Sequence, residues 1–219
     1  MEISPIAYFE SPFKTKFGVP RQAGLAAELR GRIVFEPGYR SPDALRGLEG
    51  FDYIWLIWGF SGNESDSPFK ATVRPPRLGG NEHVGVFASR SPFRPNRLGL
   101  SSVRIVSIDL EVPAIEVAGA DLMDGTPIYD IKPYVEYADS HPGVRSGFVD
   151  THEWQPLEVV FPEGVADDDP DLVAIKEVLS LDPRPKYHDD PEKVYGMSFE
   201  GKNVRFKVDG RVLTVVAIE

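Results

Sequence analysis

The 219-residue chain has no cysteine, so neither disulfides nor thiolate metal sites contribute to its fold, and composition leaves the redox compartment open. Long apolar runs are missing too. The longest, Tyr53-Ile-Trp-Leu-Ile-Trp-Gly-Phe60, is eight residues, against the roughly 20 that a membrane helix requires. The amino terminus, Met1-Glu-Ile-Ser-Pro-Ile6, lacks both a basic region and an apolar core, which argues against a secretory signal. The expectation is a soluble, cytoplasmic protein. Neither a GxxxxGK[ST] loop nor a GxGxxG turn is present, which sets aside a P-loop nucleotidase and a doubly wound dinucleotide binder. GxSxG and HExxH are also absent, and His83, His141, His152 and His188 show no recurrent ligand spacing, so no metal site is expected.

Helical periodicity is scarce over the first 150 positions. Instead, short apolar runs bounded by proline and glycine predict strands near 3–9, 31–36, 52–60, 83–88, 101–110, 113–122 and 127–131. So many short strands are best closed as an antiparallel β-barrel or sandwich. Residues 11–25 read as a long ordered loop, and Ser41 followed by Pro42 and ending at Gly50 reads as a short helix. Trp55 and Trp58, three apart on a strand, should face opposite sides, one in the core and the other at an interface or ligand wall. Past position 140 the pattern changes. A linker gives way to an amphipathic helix over 168–180, with Leu172, Ile175, Val178 and Leu179 on one side, and then to strands near 194–200, 203–209 and 211–217. The predicted organisation is a mainly β chain: a barrel over 1–140, a linker over 141–156 and a small α+β domain over 157–219, too small to be very stable alone.

Charge is unevenly distributed. The chain carries a net −10, yet residues 70–104 hold Lys70, Arg74, Arg77, Arg90, Arg94, Arg97 and Arg104 against the single acid Glu82. A surface negative on average repels phosphate except where such an island faces it. Within the island, Pro92 and Pro95 restrict the loop that presents Arg90, Arg94 and Arg97. A solvated Pro-rich connector has the same composition, so the loop alone leaves both readings open. Asp124-Gly125 between apolar runs signals a hairpin turn. Asp121, Asp130 and Lys132 lie in strand-like segments, where charge is either on the wet face or paired near a site.

Five segments taken in order, Lys16-Phe-Gly-Val-Pro-Arg-Gln22, Thr72-Val-Arg-Pro-Pro-Arg-Leu-Gly-Gly-Asn81, Gly85-Val-Phe-Ala-Ser-Arg-Ser-Pro-Phe-Arg-Pro-Asn96, Gly99-Leu-Ser101 and Asp124-Gly-Thr-Pro-Ile-Tyr-Asp-Ile-Lys-Pro-Tyr134, resemble the TsaA-like family, also called YaeB or TrmO. Asp182-Pro-Arg-Pro-Lys-Tyr187 resembles a further loop of its bacterial members. The resemblance implies an S-adenosylmethionine-dependent tRNA methyltransferase with a β-barrel, acting as a homodimer. The reaction it implies is methylation of N6 of the threonylcarbamoyl-modified adenosine immediately 3′ of the anticodon of threonine tRNA. By the same resemblance the cofactor lies against Pro20, Arg21, Gln22, Ala23, Gly24 and Leu25, Phe60 and Ser61, Arg90, Leu100, and Gly119, Ala120, Asp121 and Leu122. Asp121, Asp124 and Asp130 are the candidates for taking the N6 proton, with Asp130 preferred, and Lys132 joins Asp130 and Asp124 as a candidate catalytic residue. Arg74, Arg77, Arg94, Arg184 and Lys186, with Lys132, are expected to face RNA phosphate or the threonyl carboxylate. The sequence departs from the family at Arg97-Leu98, where many members have proline first, and in the linker.

Two other readings use the same residues: a non-catalytic RNA-binding barrel whose arginines only hold phosphate, and a homodimeric regulator with Trp55 or Trp58 at its seam. Binding of S-adenosylmethionine separates the first from an enzyme.

Overall fold

Strand β3 (Tyr53–Gly59) shows how the apolar pattern builds the interior, since its burial alternates and sends Ile54, Leu56 and Trp58 inward. The computed structural model describes residues 2–62, 69–75, 82–151, 155–164, 169–185, 188 and 190–219. Around β3 the chain closes a six-stranded antiparallel barrel in the order β1 (Ala7–Glu10), β2 (Arg30–Phe35), β7 (Ala114–Ala118), β6 (Leu98–Asp109), β3 and β8 (Thr126–Pro133). Closure leaves no barrel edge unpaired. Its centre is filled by Phe9, Ile33, Ile54, Leu56, Val103, Ile115, Val117 and Ile128. A short ribbon, β4 (Thr72–Val73) with β5 (Val84–Gly85), stands outside it and leads into the arginine loop.

The second sheet runs β10 (Tyr195–Phe199), β11 (Lys202–Asp209), β12 (Val212–Ile218) and β9 (Glu158–Val160), with β9 parallel to β12. Helix α2 (Pro170–Ser180) covers it with Ala174, Ile175, Val178 and Leu179, and Asp169 caps the helix by accepting the Asp171 N–H at 2.9 Å. Part of this second core comes from far up the chain. Phe13, Ala26 and Leu29 are buried in it, with Phe17 and Val19 packed alongside. Phe13 meets Phe199 edge-on at 5.5 Å, Phe17 stacks on Phe206, and the Glu28 N–H bonds Glu177 of α2 at 2.8 Å. The predicted long loop is therefore an internal strut shared by the two sheets.

Several expectations change. Residues 41–50 form no α-helix but two 3-10 turns, Pro42–Leu45 and Leu48–Gly50, because Gly47 sits between them at φ 86 and the Ser41 side chain makes no cap bond. Strand β6 begins at Leu98, so Gly99, Leu100 and Ser101 belong to the barrel. The run expected to continue to 122 ends at Ala118, where Gly119 turns at φ 81 and leaves Asp121 on a loop at the barrel mouth. Beyond β8 comes the single turn α1 (Glu136–Asp139), followed by a 3-10 turn at Gly147–Thr151. Short strand β9 had no clear sequence signal.

The two tryptophans divide as their spacing predicts. Trp58 is buried, whereas Trp55 is on the outside, packed against Tyr134 and donating to Asp139 at 2.9 Å. Trp58 is thus unavailable to a seam, and Trp55 is the half-buried outer tryptophan.

Candidate active site

The loop carrying Pro20–Leu25 is tied to the barrel mouth by glycine. Gly24 N–H bonds Gly119 C=O at 2.8 Å, Gly119 N–H bonds Leu29 C=O at 2.9 Å, and both glycines have φ 81. A Cβ on Gly119 would lie 3.5 Å from Gly24 Cα, so backbone lies on backbone here. From the other side comes Arg90, whose guanidinium donates to Gln22 Oε1. Asp121 completes the group. It is part-buried, accepts Ser101 Oγ–H at 2.5 Å and the Ala23 N–H, and faces the Arg90 charge. Burial pushes its carboxyl above the usual aspartate value, while the Ser101 hydroxyl, its own N–H, Arg90 and the Ala23 N–H pull the other way.

The neighbouring candidates close the wall. Phe60 packs edge-on against Trp58 at 4.5 Å and donates its N–H to Arg97 C=O at 3.0 Å. Ser61 shares a 3.1 Å bond with Thr126, whose hydroxyl donates to Met123 C=O at 2.6 Å, so Ser61 is the donor of the first bond. Leu100 is 57% exposed beside them. Ala120 and Leu122 point into the barrel core and Pro20 is buried, so these three offer a ligand backbone and not side chain. Leu25 is exposed. Arg21 is directed at Asp182 of the C-terminal loop; desolvation lowers its pKa from the ordinary guanidinium value and Asp182 opposes that shift.

The proposed catalytic residues are spread over two other places. Asp130 and Lys132 pair at 3.4 Å on β8, on the outer face of the barrel. A bulge puts them there. Trp58 is paired with Ile128 but Ile57 with Asp130, so Tyr129 is the extra residue and everything after it changes face. Because Ile57 also pairs with Leu100, Asp130, Ile57 and Leu100 form one row across β8, β3 and β6. Asp124 is not in the arginine group. It accepts Ser11 N–H at 3.0 Å and pairs with Lys14 at 2.6 Å, which hold its carboxyl below the usual value although burial works against them. Its surroundings are an open cleft of about 710 Å³ lined by Glu10, Arg30, Arg32 and Glu200 among others, whose charges are bridged as Arg30–Glu116 and Arg32–Asp109. That cleft shares no lining residue with the Arg90 group.

The basic residues expected at RNA are also partly engaged. Arg94 folds back on its own loop, donating to Ser89 C=O at 3.1 Å and Ser91 C=O at 3.3 Å. Arg74 donates to His83 Nε2 at 2.7 Å, and Arg104, a member of the basic island not among those expected at RNA, bridges to Glu28 at 3.2 Å. Arg184, also expected at RNA, has a side chain 12% exposed and forked onto Asp182 at 2.9 and 3.3 Å, so it braces the C-terminal loop. Arg77 and Lys186 lie outside the described residues. Arg97 has φ 49, a conformation closed to proline, which accounts physically for the departure at this position.

Sequence reasoning missed Trp58 and Ser101 as site residues. Trp58 Nε1 donates to Ser101 Oγ at 2.9 Å, directly behind Asp121. Gly99 makes this possible, since a Cβ there would fall 2.3 Å from the indole. The sequence signal was the Gly99-Leu-Ser101 triplet opposite Trp58, legible only once the β3–β6 register is known.

Comparison with known proteins bears on this arrangement. Residues 8–140 match the tRNA-methyltransferase O N-terminal domain, and residues 158–219 match the TrmO C-terminal domain. A protein of Escherichia coli (strain K12) named tRNA (adenine(37)-N6)-methyltransferase is 36% identical over 230 residues, covering 100% of this chain and 97% of that one. A Pseudomonas aeruginosa protein named putative S-adenosylmethionine-dependent methyltransferase RcsF is 40% identical over 204 residues, 89% of this chain and 87% of that one. The crystal structure of TrmO from Pseudomonas aeruginosa superposes with a TM-score of 0.81 at 29% identity, covering 100% of this chain and 98% of that one.

Proposed function

This chain belongs to the tRNA-methyltransferase O family, and from that premise we propose how its residues carry out the reaction. The protein is an S-adenosylmethionine-dependent methyltransferase acting on N6 of adenine in tRNA. Its proposed substrate is the threonylcarbamoyl-modified adenosine 3′ of the anticodon in threonine tRNA. It works, on this reading, as a homodimer in the cytoplasm. The observation carrying the reading is the meeting of Gln22–Gly24, Arg90 and Asp121 at one end of the barrel.

The group at that end suits S-adenosylmethionine chemically. Arg90 is an exposed cation for a carboxylate, Asp121 an acceptor for hydroxyl or ammonium, and Phe60 with Leu100 supplies apolar wall for a flat base. Gly24 and Gly119 let backbone N–H and C=O groups approach without side-chain interference. When bound, the cofactor supplies an electrophilic methyl group on a sulfonium. The protein's part is then to place N6 in line with it, and positioning of this kind supplies much of a rate enhancement. N6 of the modified base carries one proton that must leave as the new N–C bond forms. Asp130, paired with Lys132 at 3.4 Å, accepts it. Arg74 and Lys132 hold the RNA backbone and the threonyl carboxylate.

The test is mass spectrometry of nucleosides from threonine tRNA incubated with pure protein and labelled S-adenosylmethionine. A labelled methyl on the threonylcarbamoyl adenosine is expected. Label appearing only on unmodified adenosine would overturn the substrate assignment, and none at all would overturn the reading. Light scattering of the pure protein, expected at twice 24.3 kDa, checks the dimer.

A further inference from the structure

Behind the Arg90 group lies a short chain of hydrogen bonds that starts from a group able only to donate. The indole N–H of Trp58 can only donate, so Ser101 Oγ, 2.9 Å away, must accept from it. A serine hydroxyl has one proton. With Asp121 ionised, that proton points at Asp121 Oδ1, 2.5 Å away, and the carboxylate oxygen accepts it. Both Trp58 and Ser101 are buried, so no water competes to reverse the order. Gly99 gives the indole its space, and Phe60 braces it from the side.

We infer that Trp58 and Ser101 are positioning residues that act through Asp121, holding its carboxylate ionised and oriented at the mouth of the cofactor pocket. This rests on the reading that Asp121 lines that pocket. The other groups facing Asp121 are its own N–H, the Ala23 N–H from the 20–25 loop and the Arg90 guanidinium, all of which favour the same ionised form. Burial works toward the protonated form, in which the acceptor becomes a donor. The chain from Trp58 opposes that change.

Calorimetric titration of the full-length protein with S-adenosylmethionine across a pH series tests the inference. Trp58→Phe keeps the ring against Phe60 and Gly99 while deleting the N–H, and Ser101→Ala deletes the hydroxyl. Since hydrogen bonds to charged groups carry about a tenfold effect or more, Ser101→Ala should weaken binding about tenfold and Trp58→Phe by less. Losing a donor raises the Asp121 pKa, so the acid limb of binding should move to higher pH in both variants. Ser101→Cys, with a weaker donor, should fall between wild type and Ser101→Ala. Wild-type affinity and an unmoved acid limb in Trp58→Phe and Ser101→Ala would overturn the inference while leaving the cofactor site standing. Weaker binding with an unmoved acid limb also overturns it, as it marks a packing effect only. Should Ser101→Ala melt too early to titrate, the acid limb of Trp58→Phe decides alone. Absence of binding by wild type would sink the underlying site assignment instead.

Discussion

Arg90 and Arg94 stand four residues apart on one loop yet have different partners. Arg90 reaches across to Gln22 and Asp121, whereas Arg94 is spent on carbonyls of its own loop. Arg90→Ala should therefore weaken S-adenosylmethionine binding by about tenfold or more, the scale of a charge-assisted pair, with Arg94→Ala well below that. Equal losses by calorimetry would reverse the assignment. Asp124 supports a different expectation, since its pKa is lowered by Lys14 and the Ser11 N–H. A depressed carboxylate stabilises the fold above its unfolded pKa, and that contribution disappears as pH falls through the folded value. Asp124→Asn should thus lower the melting temperature at pH 7 by roughly 2–4 °C, with the gap to wild type closing as pH drops below about 4. Methylation by this variant should persist, because Asp124 is held by Ser11 and Lys14 in a cleft that shares no lining residue with the Arg90 group. The acids were readable as candidates from sequence, but their separation was not. Asp121, Asp124 and Asp130 lie within ten positions, and only the turn at Gly119 and the bulge at Tyr129 send them to three different surroundings.

At the scale of elements, β3 and β6 do most to shape the site. Their alternation was plain in the sequence, and with it the inward Trp58. Their register was not, and register is what puts Gly99 under the indole and Ser101 at its nitrogen. Gly99→Ala should force the indole aside and cost about 1–3 kcal/mol, as overpacking of a filled interior does. Denaturant unfolding measures that loss, and a variant as stable as wild type would show that the barrel yields easily at this point. The helix expected over 41–50 failed for a local reason, a left-handed Gly47 in mid-run. The helix over 170–180 succeeded because its cap, proline and apolar spacing agree. Bulges have no comparable mark, so the placing of Asp130 on the outer face, in one row with Ile57 and Leu100, had to come from the strand pairing itself.

For the whole molecule, the segment from Phe13 to Leu29 decides how the halves depend on each other. Its aromatic residues fill the C-terminal core, its glycine lies on the barrel mouth and Arg21 is aimed at Asp182. The sequence marked this segment as ordered by its proline and aromatic content, but partners about 150 to 190 residues away leave no local pattern. Two consequences are measurable. Scanning calorimetry of the full chain should show one cooperative transition, and Phe17→Ser, which puts a hydroxyl against Phe206, should lower it as a unit by an amount worth about 3 kcal/mol. Two resolved transitions, with only one moved, would show that the strut is dispensable. A further consequence concerns inheritance. Since residues near 13–29 and those from 158 onward make up one interior, an exchange of carboxyl-terminal halves between relatives would graft a hydrophobic mould without its casting. Chimaeras that carry both pieces from the same parent should be the ones that survive.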